Sequence, residues 1–253
     1  MTRLHGTKEF WLAGVRAEAT AFASAAAEAP PDAPVPSCPE WTTTDLVHHL
    51  GSIYEWTRAL LVRGGTQRPD PREHPQGVPT GEEGLSWWRE RYADLMATLT
   101  ATDPDAPVWN WAPQSKTASF WDRRTAHETA VHRWDMQIAV AVAEPIEAKL
   151  AADGVTEVLD SWLPAGRRRS TDHAHGVVQL VASDAAQEWL VRLRGEGVAL
   201  LDTDTILDTD EPHARVHAQG TASDLMLALY GRVGFDVLEL TGDATLLEAL
   251  RTG

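Results

Sequence analysis

The chain has 253 residues, 43% hydrophobic and 23% charged, with a formal net charge of -15, a composition suited to one large globular domain or two smaller ones. Its acidic balance argues against a phosphate-binding surface and so against nucleic acid; no segment has the apolar length of a membrane span, and the opening MTRLHGTKEFW is too polar for a signal peptide. Cys38 is the single cysteine, so no internal disulfide can form, and the expected location is the cytoplasm.

Residues 7 to 28 read as a first helix, with Trp11, Val15 and Phe22 at helical spacing in an Ala-rich background. The proline-rich run from Ala29 to Pro36 then breaks the chain. A second helix starts after Trp41, with Thr42 as its N-cap and Asp45 three residues on. Its apolar stripe is Leu46, Leu50, Ile53 and Leu60. His49 falls within that stripe and is expected to point inward, whereas His48 lies with Asp45, Ser52 and Glu55 on the polar face. An inward histidine needs a hydrogen-bond partner or a metal, and a backbone carbonyl would serve as well as an ion. After a Gly- and Pro-rich loop over 64–81, a third helix runs from about Glu82 to Leu99 with Leu85, Trp88, Tyr92, Leu95 and Leu99 on one face. A loop from Asp103 to Lys116 carries Trp109 and Trp111; most of the eleven tryptophans should simply pack.

The fourth helix spans Ser119 to Val140, with Ser119 as a candidate cap and Asp122 as its capping-box acid. Glu128 and His132 are four residues apart, which puts carboxylate and imidazole on one helical face. That pair suits Zn²⁺ or another borderline divalent ion, although a solvated surface pair has the same spacing and a third ligand must come from elsewhere. Four amphipathic helices with two long connections suggest a four-helix bundle, whose core is a common place for ligands from facing helices.

Beyond Pro145 the periodicity changes. A helix is expected over Asp153–Leu163, a polar loop over Arg167–His175, and strands at Gly176–Ala182, Glu188–Leu193, Gly197–Leu201, Ala214–Gln219 and Leu238–Thr241. Thr221 and Asp224 frame a cap for a short helix through Leu229, and Asp243 caps a last helix through Leu250. The fold class is therefore α+β: a helical bundle over residues 1–150 followed by a small α+β domain over 151–253.

The segment Cys38-Pro-Glu-Trp41-Thr-x-x-Asp45-Leu-Val-x-His49-Leu resembles the second helix of mycothiol-dependent maleylpyruvate isomerases. Glu128-x-x-x-His132-x-x-Asp135 is similar to their fourth. Ala222-Ser-Asp224-Leu225 through Leu229-Tyr-Gly231-Arg232, then Gly242-Asp243, is similar to their second domain. The resemblance covers nearly the whole chain in order. It implies a DinB-like four-helix bundle that binds metal and thiol, then a sterol-carrier-like α+β domain making substrate-side contacts. It implies His49, Glu128 and His132 as ligands of one divalent ion, Zn²⁺ by the donor set, and Arg232 as the catalytic-site arginine that holds a substrate carboxylate. The implied cofactors are that ion and mycothiol. The implied partners are a low-molecular-weight thiol and a small anionic electrophile, with neither nucleic acid nor membrane, in a monomer or homodimer.

Three protein ligands would leave an open position on the ion, where a thiol can lose its proton near neutral pH. The implied activity is isomerisation or S-transfer by that thiol. A metal-dependent hydrolase, with water in place of thiol, and a non-catalytic small-molecule or lipid carrier are the competing readings. Asp135, three residues after His132, either orients that imidazole or sits on the surface. His127 lies about 100° round the helix from Glu128 and should miss the ligand face. His173 and His175 form a weak His-x-His signal, and Cys38 is expected to pack.

Overall fold

The computed structural model describes residues 6–70, 79–167, 174–195, 197–201 and 214–252. The chain divides into two compact units, Gly6–Glu144 and the residues from Pro145 onward. It is α+β, with a helical first part and a sheet in the second.

The first unit is built on four helices: α1 (Lys8–Glu28), α2 (Thr43–Arg63), α3 (Gly81–Ala101) and α4 (Ser119–Ala139). α1 starts where the Thr7 side chain accepts from the Phe10 amide. α2 starts at a capping box in which Thr42 and Asp45 each satisfy the other's backbone amide. α1 packs chiefly on α4, and α2 on α3. Val15, Phe22, Leu46, Leu50, Tyr54, Leu95 and Leu99 are fully buried, with Trp88 between Phe22 (ring centroids 4.9 Å apart) and Tyr92 (5.6 Å, stacked). Gly51 lets α2 and α3 approach this closely, because a Cβ there would lie 2.2 Å from the Trp87 ring. Within the proline-rich connection the structure adds a feature not expected from its composition, a small antiparallel pair of β1 (Pro34–Val35) and β2 (Cys38–Thr42).

Two expectations for α4 need correction. Its N-cap is Ala118 rather than Ser119 and makes no side-chain cap bond; the Ser119 hydroxyl pairs with Thr117 instead, 3.0 Å away. Asp122 is no capping acid, since it is buried, with Oδ2 lacking a hydrogen-bond partner. α4 is also not amphipathic in the ordinary sense: nearly every residue from Phe120 to Gln137 is buried. Apart from Asp122, a helix this polar tolerates burial through contacts such as those of Arg133. Arg133 Nε donates to Glu18 Oε2 at 2.5 Å, and its Nη1 donates to Gln137 Oε1 at 2.7 Å and to the Glu144 carbonyl at 2.6 Å.

Asp122 gives a pH-dependent stability. Burial is the main cause that pushes its carboxyl up to about 7, with Lys8 pulling it down and Glu9 adding to the rise. The folded chain therefore holds this proton more tightly than the unfolded chain. That contribution to stability is full at low pH and is lost as pH rises from the ordinary carboxylate range through about 7. Asp122→Asn removes the ionisable group, so its stability relative to wild type should be roughly 1–3 kcal/mol more favourable at pH 8 than at pH 5. Urea denaturation at both pH values checks this; equal differences at the two would show that Asp122 ionises in the folded state as it does unfolded.

The second unit opens with α5 (Ala148–Glu157), which passes directly into a π-helical turn over Val158–Trp162, where the Leu163 amide reaches the Val158 carbonyl. Its sheet has the order β5-β4-β3-β6-β7, with β3 (His175–Ala182), β4 (Gln187–Arg194), β5 (Gly197–Leu201), β6 (Arg215–Gly220) and β7 (Glu239–Gly242). All neighbours are antiparallel except β3 and β6. Period-two burial fixes the register: Val178 and Leu180 of β3 lie opposite Val191 and Trp189 of β4, and opposite Val216 and Ala218 of β6. α6 (Ala222–Leu229) packs on β3 and β6 and against α5. The last helix is 3₁₀, Ala244–Leu250, after Asp243. His175 begins β3 and is exposed, while His173 lies outside the described residues.

Candidate metal centre

α2 and α4 bring three donors together. His49 Nε2 lies 3.3 Å from Glu128 Oε1, and His132 Nε2 lies 3.3 Å from the same oxygen. All three ligand atoms fall within 4.8 Å of one another. A tetrahedral ion about 2.0–2.1 Å from each donor needs donors spaced by about 3.3 Å. The two carboxylate–imidazole pairs already have that spacing, and the two imidazole donors lie within 4.8 Å of each other. The donor set, two imidazoles and one carboxylate, suits a borderline divalent ion. Among the described residues this is the one cluster of its kind.

The residues behind the donors hold them in register. Asp135, fully buried and not on the surface, accepts from His132 Nδ1 at 2.8 Å. With Nδ1–H committed there, Nε2 is the nitrogen that faces Glu128, and it is the one that would ligate an ion on giving up its proton. The other Asp135 oxygen accepts from the Ser37 hydroxyl at 2.6 Å, and Cys38 Sγ lies 4.0 Å from Oδ2. Cys38 thus neighbours the centre through Asp135 rather than lying among the donors. Trp41 covers the imidazoles, with its ring centroid 4.7 Å from His49 and 6.1 Å from His132. On the other side Arg124 Nη2 donates to Glu128 Oε2 at 2.5 Å.

These contacts set the charge states. Burial would raise Glu128, but the Arg124 guanidinium and hydrogen bonds from His132 and His49 hold its carboxyl well below the usual carboxylate range. Burial would lower His132, but hydrogen bonds to Asp135 and Glu128 outweigh it and raise the imidazole above its ordinary value. The side chain of His49 is 26% exposed against 5% for His132 and 15% for Glu128, so the centre opens on the α2 side.

His48 does not enter the cluster: its Nε2 sits 2.7 Å from the Pro79 carbonyl, so it is half-buried rather than solvated. His127 is buried on another face of α4, outside the donor set. Arg232 stands in the second unit. Gly231 there has φ +71°, a left-handed turn that glycine adopts without strain, and Arg232 Nη1 donates to the Tyr230 carbonyl at 2.9 Å. Arg124 and Ser37 join the site without having been singled out from the sequence, and Trp41 was legible only as part of a motif. Arg124 had a usable signal, since 124, 128 and 132 are spaced by four on one helix. Ser37 had none, because it stands between β1 and β2, whose pairing no local pattern announced; Trp41 stood in the motif ahead of α2, but nothing local placed its ring against the imidazoles.

Residues 12–137 match the family model described as the mycothiol maleylpyruvate isomerase N-terminal domain, and residues 149–249 match the MDMPI C-terminal domain. The chain belongs to the mycothiol-dependent maleylpyruvate isomerase family. It is a family of enzymes, and its two domain models together span most of this chain in the family order. No curated protein sequence matches. Two solved structures share the fold: the mycothiol-dependent maleylpyruvate isomerase, at TM-score 0.63, and a histidine-to-alanine mutant of it, at 0.64. Each is 14% identical, with 93% of both chains covered. Among the described residues, no helix of this family member is long and apolar enough to cross a membrane.

Proposed function

We propose that the chain is a metal- and mycothiol-dependent isomerase, acting on a small anionic compound of the maleylpyruvate type. The observation that carries this reading is the convergence of His49, Glu128 and His132 within 4.8 Å in a member of this family. These three residues would hold one divalent ion, of which Zn²⁺ fits the donors best. When bound, such an ion supplies the Lewis acidity that lets a thiol ionise near neutral pH. Asp135 would keep His132 Nε2 turned toward the ion, and Trp41 packs its ring against both imidazoles. Thiolate addition to the activated cis double bond leaves a single bond between its carbons. Rotation about that bond and elimination of the same thiolate give the trans product, so the thiol is regenerated. Arg232 would bind a substrate carboxylate, because its planar fork matches one and its charge is permanent.

The test is to follow conversion of maleylpyruvate to fumarylpyruvate by the metal-loaded protein, with and without mycothiol. Turnover that needs both metal and thiol is expected. Arg232→Ala should retain its metal but lose turnover on the anionic substrate, and Arg232→Lys should recover only part. Thiol-independent loss of maleylpyruvate to cleavage products that have taken up water would favour hydrolytic chemistry. A thioether product, with the thiol retained on the electrophile, would make the chain an S-transferase. Wild-type rates in Arg232→Ala would remove that residue from the site.

A further inference from the structure

We infer that Arg124 fixes the coordination number of the centre by holding Glu128 to a single metal-facing oxygen. The inference rests on the metal-centre reading above and adds a residue that decides whether the ion keeps an open position. Arg124, Glu128 and His132 follow one another at four-residue spacing along α4, and their side chains are 7%, 15% and 5% exposed. The two oxygens of Glu128 have different partners. Oε1 lies 3.3 Å from both histidine Nε2 atoms, whereas Oε2 is 2.5 Å from Arg124 Nη2.

This division matters because a carboxylate can give a metal one oxygen or two. Two imidazoles and one carboxylate oxygen make three ligands and leave the fourth position of a tetrahedral ion for an exogenous group. Two imidazoles and both oxygens already make four. A thiol would then have to displace an oxygen or expand the coordination shell. Arg124 opposes the second mode, since its charge-assisted bond occupies Oε2 in a buried setting. Moving Oε2 to the ion would leave a buried guanidinium without that carboxylate contact, which is costly. Arg124 is thus a positioning residue that acts through Glu128.

The experiment uses the full chain loaded with Co²⁺, whose visible absorption is intense when four-coordinate and weak when five-coordinate. Wild type, with three protein ligands and one water, should give the intense four-coordinate spectrum. It should also develop a sulfur-to-cobalt charge-transfer band when 2-mercaptoethanol is added. Arg124→Met, which keeps the apolar stem and removes the donor, should bind cobalt through both Glu128 oxygens while keeping the water, and so show the weaker five-coordinate spectrum. Its affinity for the thiol should fall on the order of tenfold or more, in line with the roughly 10–100-fold losses in metal affinity or activity that follow removal of an outer partner. Arg124→Lys keeps a charged donor toward Oε2 and should return the wild-type spectrum. Wild-type spectrum and thiol affinity in Arg124→Met would overturn the role of Arg124 and leave the metal centre standing. A five-coordinate spectrum in wild type itself would overturn it without recourse to any variant. Failure of the wild-type chain to take up cobalt would overturn the metal-centre reading and this inference together.

Discussion

His49→Ala is expected to purify without its divalent ion and without thiol-dependent turnover, while His48→Ala keeps both. The two histidines are neighbours in sequence but face different partners: His49 Nε2 points at Glu128 Oε1, and His48 Nε2 at the Pro79 carbonyl. Removing His49 takes one of three donors from the ion, a larger loss than the roughly 10–100-fold that follows from removing an outer partner. Asp135→Asn supplies that milder case, since it weakens the acceptor for His132 Nδ1–H without touching a donor to the ion. Elemental analysis after dialysis separates the three variants, with His48→Ala at wild-type occupancy. Equal loss in His48→Ala and His49→Ala would show that α2 presents the wrong face to the site. Occupancy should also fall with pH. The metal-free His132 holds its proton above the ordinary imidazole value, so ion and proton compete for it as pH drops through that raised value.

Glu18→Ala is expected to destabilise the first unit by about 3–5 kcal/mol, the usual cost of removing one partner from a buried ion pair. Glu18 is 7% exposed on α1 and Arg133 3% exposed on α4. Their 2.5 Å contact ties together the two helices that pack most closely in the bundle. Arg133 also donates to Gln137 Oε1 and the Glu144 carbonyl, both neutral acceptors that do not replace the carboxylate of Glu18. Glu18→Gln keeps an acceptor and should cost less than Glu18→Ala. Urea denaturation followed by tryptophan fluorescence measures both. A loss under about 1 kcal/mol for Glu18→Ala would mean that the pair behaves like a surface salt bridge.

Helical spacing by itself determined the four long helices, since apolar residues such as Leu85, Trp88 and Leu95 recur with the turn of the helix and need one buried face. It also determined that Glu128 and His132 share a face, because a four-residue step is a local property of the backbone. The order of the loose motifs carried family membership, and the period-two runs after Pro145 carried the α+β class. The state of each charge on α4 was settled only in three dimensions. Glu18 reaches Arg133 from 115 residues away, Ser37 reaches Asp135 from 98 away, and Asp122 is buried with an oxygen unmatched. The sequence could not distinguish these outcomes, because a carboxylate in a polar helix has the same local pattern whether solvent or a buried cation lies opposite. His49 lies 79 residues from Glu128, and no local period links them. Only packing of α2 beside α4 brings the imidazole and carboxylate to 3.3 Å, and only the third dimension shows Arg124 on the carboxylate's other oxygen.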